Sequence, residues 1–258
     1  MIVKYIILIY ISLFLNGFLW AEETQFPLRE KYKDVPTISH EALYQKLGEV
    51  LVIDVRSAYE YETLRINGAI NVSVSNKGFI FELQKIREKE ARPIVFYCNG
   101  ITCSKSYKAV VKAKKHNIEN ISAFDLGIIG WTKAHPDAAT LLEETPVILS
   151  KLISKATFLS HMLSPDEFVN KIDDNAMVLD IREPIQRDIV ILDHIVRVTP
   201  SDRIGRVLQR AKTRKKTLLI FDAVGKQVRW LQYRLEKEQV KNYYFMKGGV
   251  KGFINKGT

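Results

Sequence analysis

The stretch that decides the fold spans residues 93–104 and reads Pro-Ile-Val-Phe-Tyr-Cys-Asn-Gly-Ile-Thr-Cys-Ser. Its apolar first part, residues 93–97, ends abruptly in Cys98, and a short polar loop then leads into a helix-like segment. A thiol at such a strand-to-helix junction lies beside backbone N–H groups and a helix N-terminus, which lower a cysteine pKa and favour anions. The local pattern also leaves a second interpretation open, a buried cysteine of the core.

The same landmarks occur twice along the chain. In each half, an apolar strand ends in an Asp-X-Arg triplet, and a second apolar strand follows. A strand-like run and a glycine turn before an aromatic residue then close the unit. The matched segments are 50–56 with 177–182, 94–97 with 218–221, and 126–131 with 248–253. Because the order is kept and the separation is nearly constant, we infer that one fold has been duplicated.

Short apolar runs alternate with amphipathic stretches inside each unit. In the first half, the predicted helices are 42–47, 80–87 and 104–113, and the predicted strands are 51–53, 69–72, 94–97 and 121–124. This alternation predicts an α/β fold with two domains, each a mostly parallel β-sheet flanked by helices on both faces. The domains are placed at residues 35–137 and 162–258. Residues 138–161 are predicted to be a packed connector, because a flexible linker would be rich in glycine or serine.

The first 21 residues predict export. Lys4 is a short basic start, residues 5–20 are almost wholly apolar, and Ala21 is followed by two glutamates. The apolar segment is short for a membrane span and has no basic flank on its far side. We therefore predict that residues 1–21 are a removable signal peptide, with an uncleaved anchor as the alternative. The protein is then expected outside the cytoplasm, in the periplasm if the source is a Gram-negative bacterium.

The formal net charge is +10. Basic clusters at 112–115 and 212–216 fall at predicted helix ends or in turns, which indicates solvated faces rather than a nucleic-acid site. A positive field would still attract small anions. The two cysteines, Cys98 and Cys103, are too few for a disulfide framework, although they could form a bond in an oxidising compartment.

With these motifs, the chain resembles the rhodanese family in its tandem two-domain form. Across residues 35–136, the resemblance rests on four motifs in the family's order. They are Asp54-Val55-Arg56 with Glu60, residues 66–72, residues 97–100 with Cys103 and Ser106, and Gly127 with Gly130-Trp131. The likeness of the second half, about residues 163–254, is weaker and rests on residues 180–182, the strand before Asp222, and residues 248–253.

The resemblance implies a sulfurtransferase. Cys98, as a thiolate, would attack the outer sulfur of thiosulfate or another sulfane donor, and the persulfide would pass its sulfur to cyanide, a thiol or a protein cysteine. Successive loop N–H groups can stabilise the thiolate and the departing anion, and Gly100 is expected to adopt a conformation closed to other residues. The predicted substrate- and anion-binding loop consists of Asn99, Gly100, Ile101, Thr102, Cys103 and Ser104. The resemblance implies no metal and no organic cofactor.

The resemblance also separates structural from chemical positions. It makes Asp54, Arg56 and Glu60 structural, because charged groups at strand ends pair locally. The position of Cys98 is taken in the second half by Asp222, which cannot carry a sulfur atom. We therefore expect the second domain to be catalytically silent. A fold that accepts aspartate at this position does not need cysteine for packing, which favours a chemical role for Cys98.

Two further functions remain open. One is a sulfur-carrier or partner-binding module without turnover, and the other is a thiol redox protein in which Cys98 and Cys103 form a disulfide. The expected partners are a small sulfur-containing anion and a thiol or protein sulfur acceptor. Nucleic acid is not expected, and a membrane is expected only through an uncleaved signal.

Overall fold

The computed structural model describes residues 26–199 and 204–255. The predicted signal peptide at residues 1–21 lies outside these ranges. Within them, no helix combines the length and the apolar character needed to cross a bilayer.

The described residues form short strands and helices that alternate along the chain. The strands are β1 (Leu51–Asp54), β2 (Leu64–Ile66), β3 (Ile70–Asn71), β4 (Ile94–Tyr97), β5 (Ile121–Phe124), β6 (Ala139–Leu141), β7 (Met162–Leu163), β8 (Ala176–Asp180), β9 (Val196–Arg197), β10 (Thr217–Phe221) and β11 (Tyr243–Met246). The α-helices are α1 (His40–Gln45), α2 (Ala58–Thr63), α3 (Phe79–Arg87), α4 (Lys105–Lys114), α5 (Gly127–Ala134), α6 (Lys155–Leu159), α7 (Pro165–Asn170), α8 (Ile204–Thr213), α9 (Val228–Lys237) and α10 (Gly249–Ile254). Short 3₁₀ helices lie at Glu30–Tyr32, Pro136–Ala138, Leu149–Lys151 and Pro184–Gln186.

Two parallel sheets have the same strand order. The first sheet is ordered β3-β1-β4-β5, and all of its pairings are parallel. The second is ordered β7-β11-β10-β8-β9 and is also parallel throughout. Read from β9, the second sheet repeats the order of the first and adds β7 at its edge. The prediction of an α/β fold with mostly parallel sheets is therefore confirmed, and the repeated topology agrees with the inferred duplication.

Helices cover both faces of the first sheet. Val52 and Val95 pack on one side, in the apolar cluster that includes Leu43 of α1 and Trp131 of α5. On the other side, alternate strand residues pack with α3 and α4. This division follows from the two-residue period of a strand, which sends successive side chains to opposite faces. Every residue of β1 and β4 is buried, as expected for a parallel sheet covered on both sides.

The two sheets share one apolar cluster. It joins residues on α1, α2 and α5 of the first half to residues on α8 and α9 of the second half. At this junction, the Arg56 guanidinium lies 4.9 Å from the centre of the Trp230 ring. The intervening segment is packed, since Ile153 is buried and donates its N–H to Tyr233 Oη (3.3 Å).

Segment 139–141 belongs to the first half. It forms β6, which pairs antiparallel with β2 in a separate two-stranded sheet.

The predicted elements of the first half occur close to their expected bounds, but the closing segment of each half was interpreted wrongly. Residues 126–131 and 248–253 were expected to form a strand-like run and a glycine turn. They instead form the start of α5 and of α10, respectively. Gly127 (φ +67°) and Gly249 (φ +57°) let the chain turn from the strand end into the helix.

Candidate active site

Cys98 directly follows β4, one of the two inner strands of the first sheet, and the loop after it ends where α4 begins at Lys105. Its side chain is fully buried. The thiol donates a hydrogen bond to the backbone oxygen of Cys103 (Sγ to O, 3.1 Å), and Sγ lies 3.6 Å from Ser106 Oγ. The structure therefore places Cys98 at the carboxyl end of a central parallel strand, where such sheets bind ligands.

The two thiols of the loop differ in acidity. Burial, together with contact with Cys103, raises the pKa of Cys98 well above its ordinary value of 9.0. The pKa of Cys103 is lowered to about 6 by interaction with Cys98 and with the backbone at Lys105 and Asn99, which outweighs the opposing effect of burial. The expectation that the loop lowers the pKa of Cys98 is thus wrong for this conformation, and the amides that were expected to do so lower the pKa of Cys103 instead.

The loop is held against the start of α5. Ile128 donates its N–H to the carbonyl of Cys98 (2.9 Å), and the Cys103 N–H closes a turn onto the Gly100 oxygen (2.8 Å). A Cβ added to Gly127 would lie 2.4 Å from the Gly100 nitrogen. Gly127 is therefore required for the close approach of the loop and α5. Gly100 does not have the left-handed φ expected for it, and a Cβ there would meet only an ordinary contact at 3.6 Å.

Asp54 and Arg56 form a fully buried ion pair at the end of β1. Arg56 Nε donates to Asp54 Oδ1 (2.9 Å), and the Arg56 N–H donates to the same oxygen (2.9 Å). Arg56 Nη1 also reaches Asn99 Oδ1 (3.2 Å), so this pair supports the residue next to Cys98. These contacts are those of a positioning pair, because they hold the end of β1 and Asn99, whereas the Cys98 thiol contacts Cys103 and Ser106.

Glu60 joins the two ends of the loop. It accepts a hydrogen bond from Asn99 Nδ2 (3.0 Å), and its Oε2 lies 3.6 Å from Lys105 Nζ. Glu60 also completes a capping box with Ser57 at the start of α2. Although burial alone raises it, the pKa of Glu60 is lowered by the charges of Lys105 and Arg56 and by the bond from Asn99. Glu60 is therefore an ionised carboxylate that fixes Asn99 and Lys105.

The second half repeats this framework without the thiol. Asp180 and Arg182 form the same buried ion pair, with Arg182 Nε donating to Asp180 Oδ1 (2.9 Å). Val250 donates its N–H to the Asp222 carbonyl (2.9 Å), just as Ile128 does to Cys98. These matched contacts place Asp222 at the position of Cys98.

The Asp222 carboxylate fills its own loop. It is almost fully buried and accepts hydrogen bonds from four backbone N–H groups of residues 224–228. The donors are Val224 (2.9 Å), Gly225, Gln227 and Val228 (3.0 Å). In this fold, the loop after the central strand is thus able to surround an anion with backbone amides.

The predicted loop residues are not equally close to the thiol. Cys103 and Asn99 take part in the network around Cys98, whereas Thr102 is exposed and Ser104 precedes α4 without a side-chain cap. Lys105 was not predicted as a site residue, although a basic residue at the first position of a helix after a cysteine loop was visible in the sequence. Among residues 26–199 and 204–255, no group of three or more His, Cys, Asp or Glu side chains is arranged to hold a metal ion.

Comparison with known proteins gives a family match for the first half. Residues 39–134 match the family model described as Rhodanese-like domain. A search of curated proteins found no match to the chain.

Solved structures with a similar fold include three bacterial proteins. A Bacillus halodurans protein is 22% identical, with 47% of this chain and 88% of that chain covered and a TM-score of 0.38. For the thiosulfate sulfurtransferase of Pseudomonas aeruginosa, the identity is 17%, the coverage is 87% of this chain and 43% of that chain, and the TM-score is 0.43. For a rhodanese-like domain from Anabaena, the identity is 20%, the coverage is 43% of this chain and 83% of that chain, and the TM-score is 0.37. The parallel sheet and the cysteine loop that follows its inner strand β4 both lie within residues 39–134, the part of the chain that is similar to the rhodanese-like domain.

Proposed function

We propose that the protein is a sulfurtransferase that moves a sulfane sulfur from thiosulfate or a related donor to cyanide or a thiol acceptor through a persulfide on Cys98. One observation carries the proposal. At the position of Cys98, the second half holds a carboxylate ringed by four loop N–H groups. The corresponding loop of the first half offers a sulfur nucleophile in the same place.

The proposed reaction begins with attack of the Cys98 thiolate on the outer sulfur of the donor. With thiosulfate, a bond forms between Cys98 Sγ and the outer sulfur, the donor S–S bond breaks, and sulfite leaves with the electron pair. The acceptor then attacks the outer sulfur of the persulfide and restores the Cys98 thiolate. Ser106, whose hydroxyl lies 3.6 Å from Cys98 Sγ, is the group that favours the Cys98 thiolate that the reaction uses and restores.

The reaction requires that the Cys98 thiol be ionised. The thiolate is the nucleophile, but burial raises the pKa of Cys98, so the thiol form dominates at neutral pH. Only the ionised fraction attacks, and the rate of persulfide formation should therefore grow with pH.

The charge distribution supports a small anionic donor. The formal net charge of the chain is +10, and Lys105 lies at the end of the loop. A positive field of this kind raises the local concentration of anions. The acceptor is proposed to be cyanide, a small thiol or a protein cysteine, and no cofactor is invoked for the transfer.

We also propose a tandem rhodanese in which the first domain is active and the second is silent. In the second loop, the Asp222 carboxylate occupies the amides that an anionic substrate would need, and aspartate cannot carry sulfur. Residues 1–21 are proposed to export the protein, which would act outside the cytoplasm.

The test measures thiocyanate formation from thiosulfate and cyanide. The wild type and Cys103→Ser should form thiocyanate, whereas Cys98→Ser should not. Equal activity of Cys98→Ser and the wild type would refute Cys98 as the nucleophile. A wild type that forms neither thiocyanate nor a persulfide with any sulfane donor would instead indicate a partner-binding module without turnover.

A further inference from the structure

We propose that Cys103 is a resolving cysteine that cleaves the Cys98 persulfide, releases hydrosulfide and leaves a Cys98–Cys103 disulfide. This inference rests on the proposed function, because it requires a persulfide on Cys98. It adds a second outcome to sulfur transfer, the reduction of a sulfane sulfur to sulfide.

The first support is the contact between the two cysteines. Cys98 Sγ lies 3.1 Å from the backbone oxygen of Cys103, and the Cys103 side chain packs against the apolar cluster that contains Cys98. The turn closed by the Cys103 N–H and the Gly100 oxygen folds the loop back so that the two residues meet. After persulfide formation, Cys98 Sγ becomes the inner sulfur, and it still faces Cys103.

The second support is that the chain offers no other thiol. Cys98 and Cys103 are the two cysteines of the whole sequence, and both are free thiols in the structure. Any resolution of the persulfide within one molecule must therefore use Cys103. Its side chain is half-buried, whereas that of Cys98 is fully buried. The lowered pKa of Cys103 makes it mainly a thiolate at neutral pH, which is the form that attacks a persulfide.

The third support comes from the second loop. Residues 222–227 contain no cysteine, so the duplicated unit that lacks the nucleophile also lacks the second thiol. In that loop, the backbone N–H groups donate their hydrogen bonds to the Asp222 carboxylate. In the first loop, the backbone at Asn99 and Lys105 instead lowers the pKa of Cys103. The first loop thus contains two cysteine sulfurs, whereas the second loop contains one carboxylate and no thiol.

The proposed step balances without a further co-reactant. The Cys103 thiolate attacks the inner sulfur, so that a bond forms between the two Sγ atoms and the bond to the outer sulfur breaks. The outer sulfur leaves with the electron pair and the persulfide proton as hydrosulfide. The two cysteines are oxidised to a disulfide and the sulfane sulfur is reduced. Another turnover then requires an external dithiol to reduce the Cys98–Cys103 bond.

The experiment follows one loading of the protein with thiosulfate, without cyanide or added thiol. Sulfide release and intact mass are recorded for the reduced wild type, Cys103→Ser, Cys103→Ala and Cys98→Ser. The wild type should release sulfide and end with the mass of the protein minus two hydrogens. Both Cys103 variants should retain the mass of one added sulfur atom, with sulfide release lowered by more than about tenfold because the neighbouring thiol is lost. Cys98→Ser should show neither change.

The outcomes separate this inference from the proposed function. A wild type that keeps the added sulfur as long as the Cys103 variants do, without releasing sulfide, would refute the resolving role and leave sulfur transfer in place. Absence of added sulfur in the wild type and both Cys103 variants, together with no sulfide from the wild type, would overturn the proposed function itself. Retention of sulfur by the Cys103 variants also shows that their loops are folded and competent, so a failure to fold cannot imitate the expected result.

Discussion

Removal of the Asp222 carboxylate should destabilise the second domain without stopping sulfur transfer. In Asp222→Ala, four backbone N–H groups lose their acceptor. The bond from Val228 is buried and the other three are part-buried, so water can replace some of them. With about 1 kcal/mol for each part-buried bond and about 1–2 kcal/mol for the buried donor, we expect a loss of about 4 kcal/mol in the free energy of unfolding.

The assay is equilibrium unfolding in urea, followed by the fluorescence of Trp230 on α9, which begins directly after this loop. A loss of this size should lower the urea midpoint by about 1–2 M. Asp222→Asn keeps one carbonyl oxygen but directs an amide N–H₂ at the remaining donors. Its loss in the free energy of unfolding should therefore be at least about half of the loss in Asp222→Ala. The control is Asp188→Ala, an exposed acid of the same domain, which should change the free energy by less than about 0.5 kcal/mol.

Thiocyanate formation by folded Asp222→Ala should match the wild type, because Cys98 lies in the other loop. A loss below about 1 kcal/mol would show that the carboxylate does not hold its loop, because it would be smaller than one such bond. Loss of sulfur transfer in folded protein would show that the second loop contributes to the active site.

Three other predictions concern the first domain. Gly127→Ala should unfold at much lower temperature than Gly100→Ala, because its Cβ would lie 2.4 Å from backbone whereas that of Gly100 would meet atoms only at 3.6 Å; equal melting temperatures would contradict the close approach of loop and helix. The pKa of Glu60 is lowered below its usual 4.5, so its ionised form stabilises the fold above that pH and this stabilisation is lost as pH falls. The difference in unfolding free energy between the wild type and Glu60→Gln should therefore shrink on acidification below pH 4.5, and a constant difference would refute the assignment. Because the pKa of Cys98 lies well above 9.0, persulfide formation should accelerate by about tenfold per pH unit across the neutral range, and a plateau near neutrality would contradict the raised pKa.

The sequence predicted the four strands of the first sheet and the repetition of the unit, but not the order of the strands. The runs that became β1 and β4 are continuously apolar and end in charged or polar residues, as strands buried on both faces do. The duplicated Asp-X-Arg triplets predicted two equivalent units, and the structure contains the same ion pair in both. Such patterns can be recognised in the sequence because the residues that form them are close together along the chain.

The segment at residues 126–131 has a helical spacing of apolar residues, which the sequence interpretation missed. Ile128 and Trp131 are both buried on α5, and their spacing of three residues is helical. The glycines around them suggested a turn, whereas Gly127 in fact lets the helix begin directly after the strand end and against the Cys98 loop. Glycine is required at position 127 because a Cβ there would clash with Gly100, which is distant in sequence.

The electrostatics of the site could not be predicted from the sequence. A cysteine after a strand suggested a lowered pKa, but the depth of the side chain decides the direction, and Cys98 is fully buried. The bond of its thiol to the Cys103 oxygen depends on how the loop folds back. The enclosure of the Asp222 carboxylate by its own loop likewise depends on amide directions that no residue pattern reports.

The role of Cys98 as the sulfur carrier can be tested by locating the sulfane sulfur on the protein after exposure to thiosulfate. In Cys103→Ser, which is expected to retain the persulfide, the protein is alkylated, digested and examined by peptide mass. We predict one added sulfur atom on the peptide that contains Cys98 and none in the Cys98→Ser protein treated in the same way. A Cys98 peptide that carries no added sulfur, in a protein that is folded and exposed to excess donor, would contradict the assignment of Cys98 as the sulfur carrier.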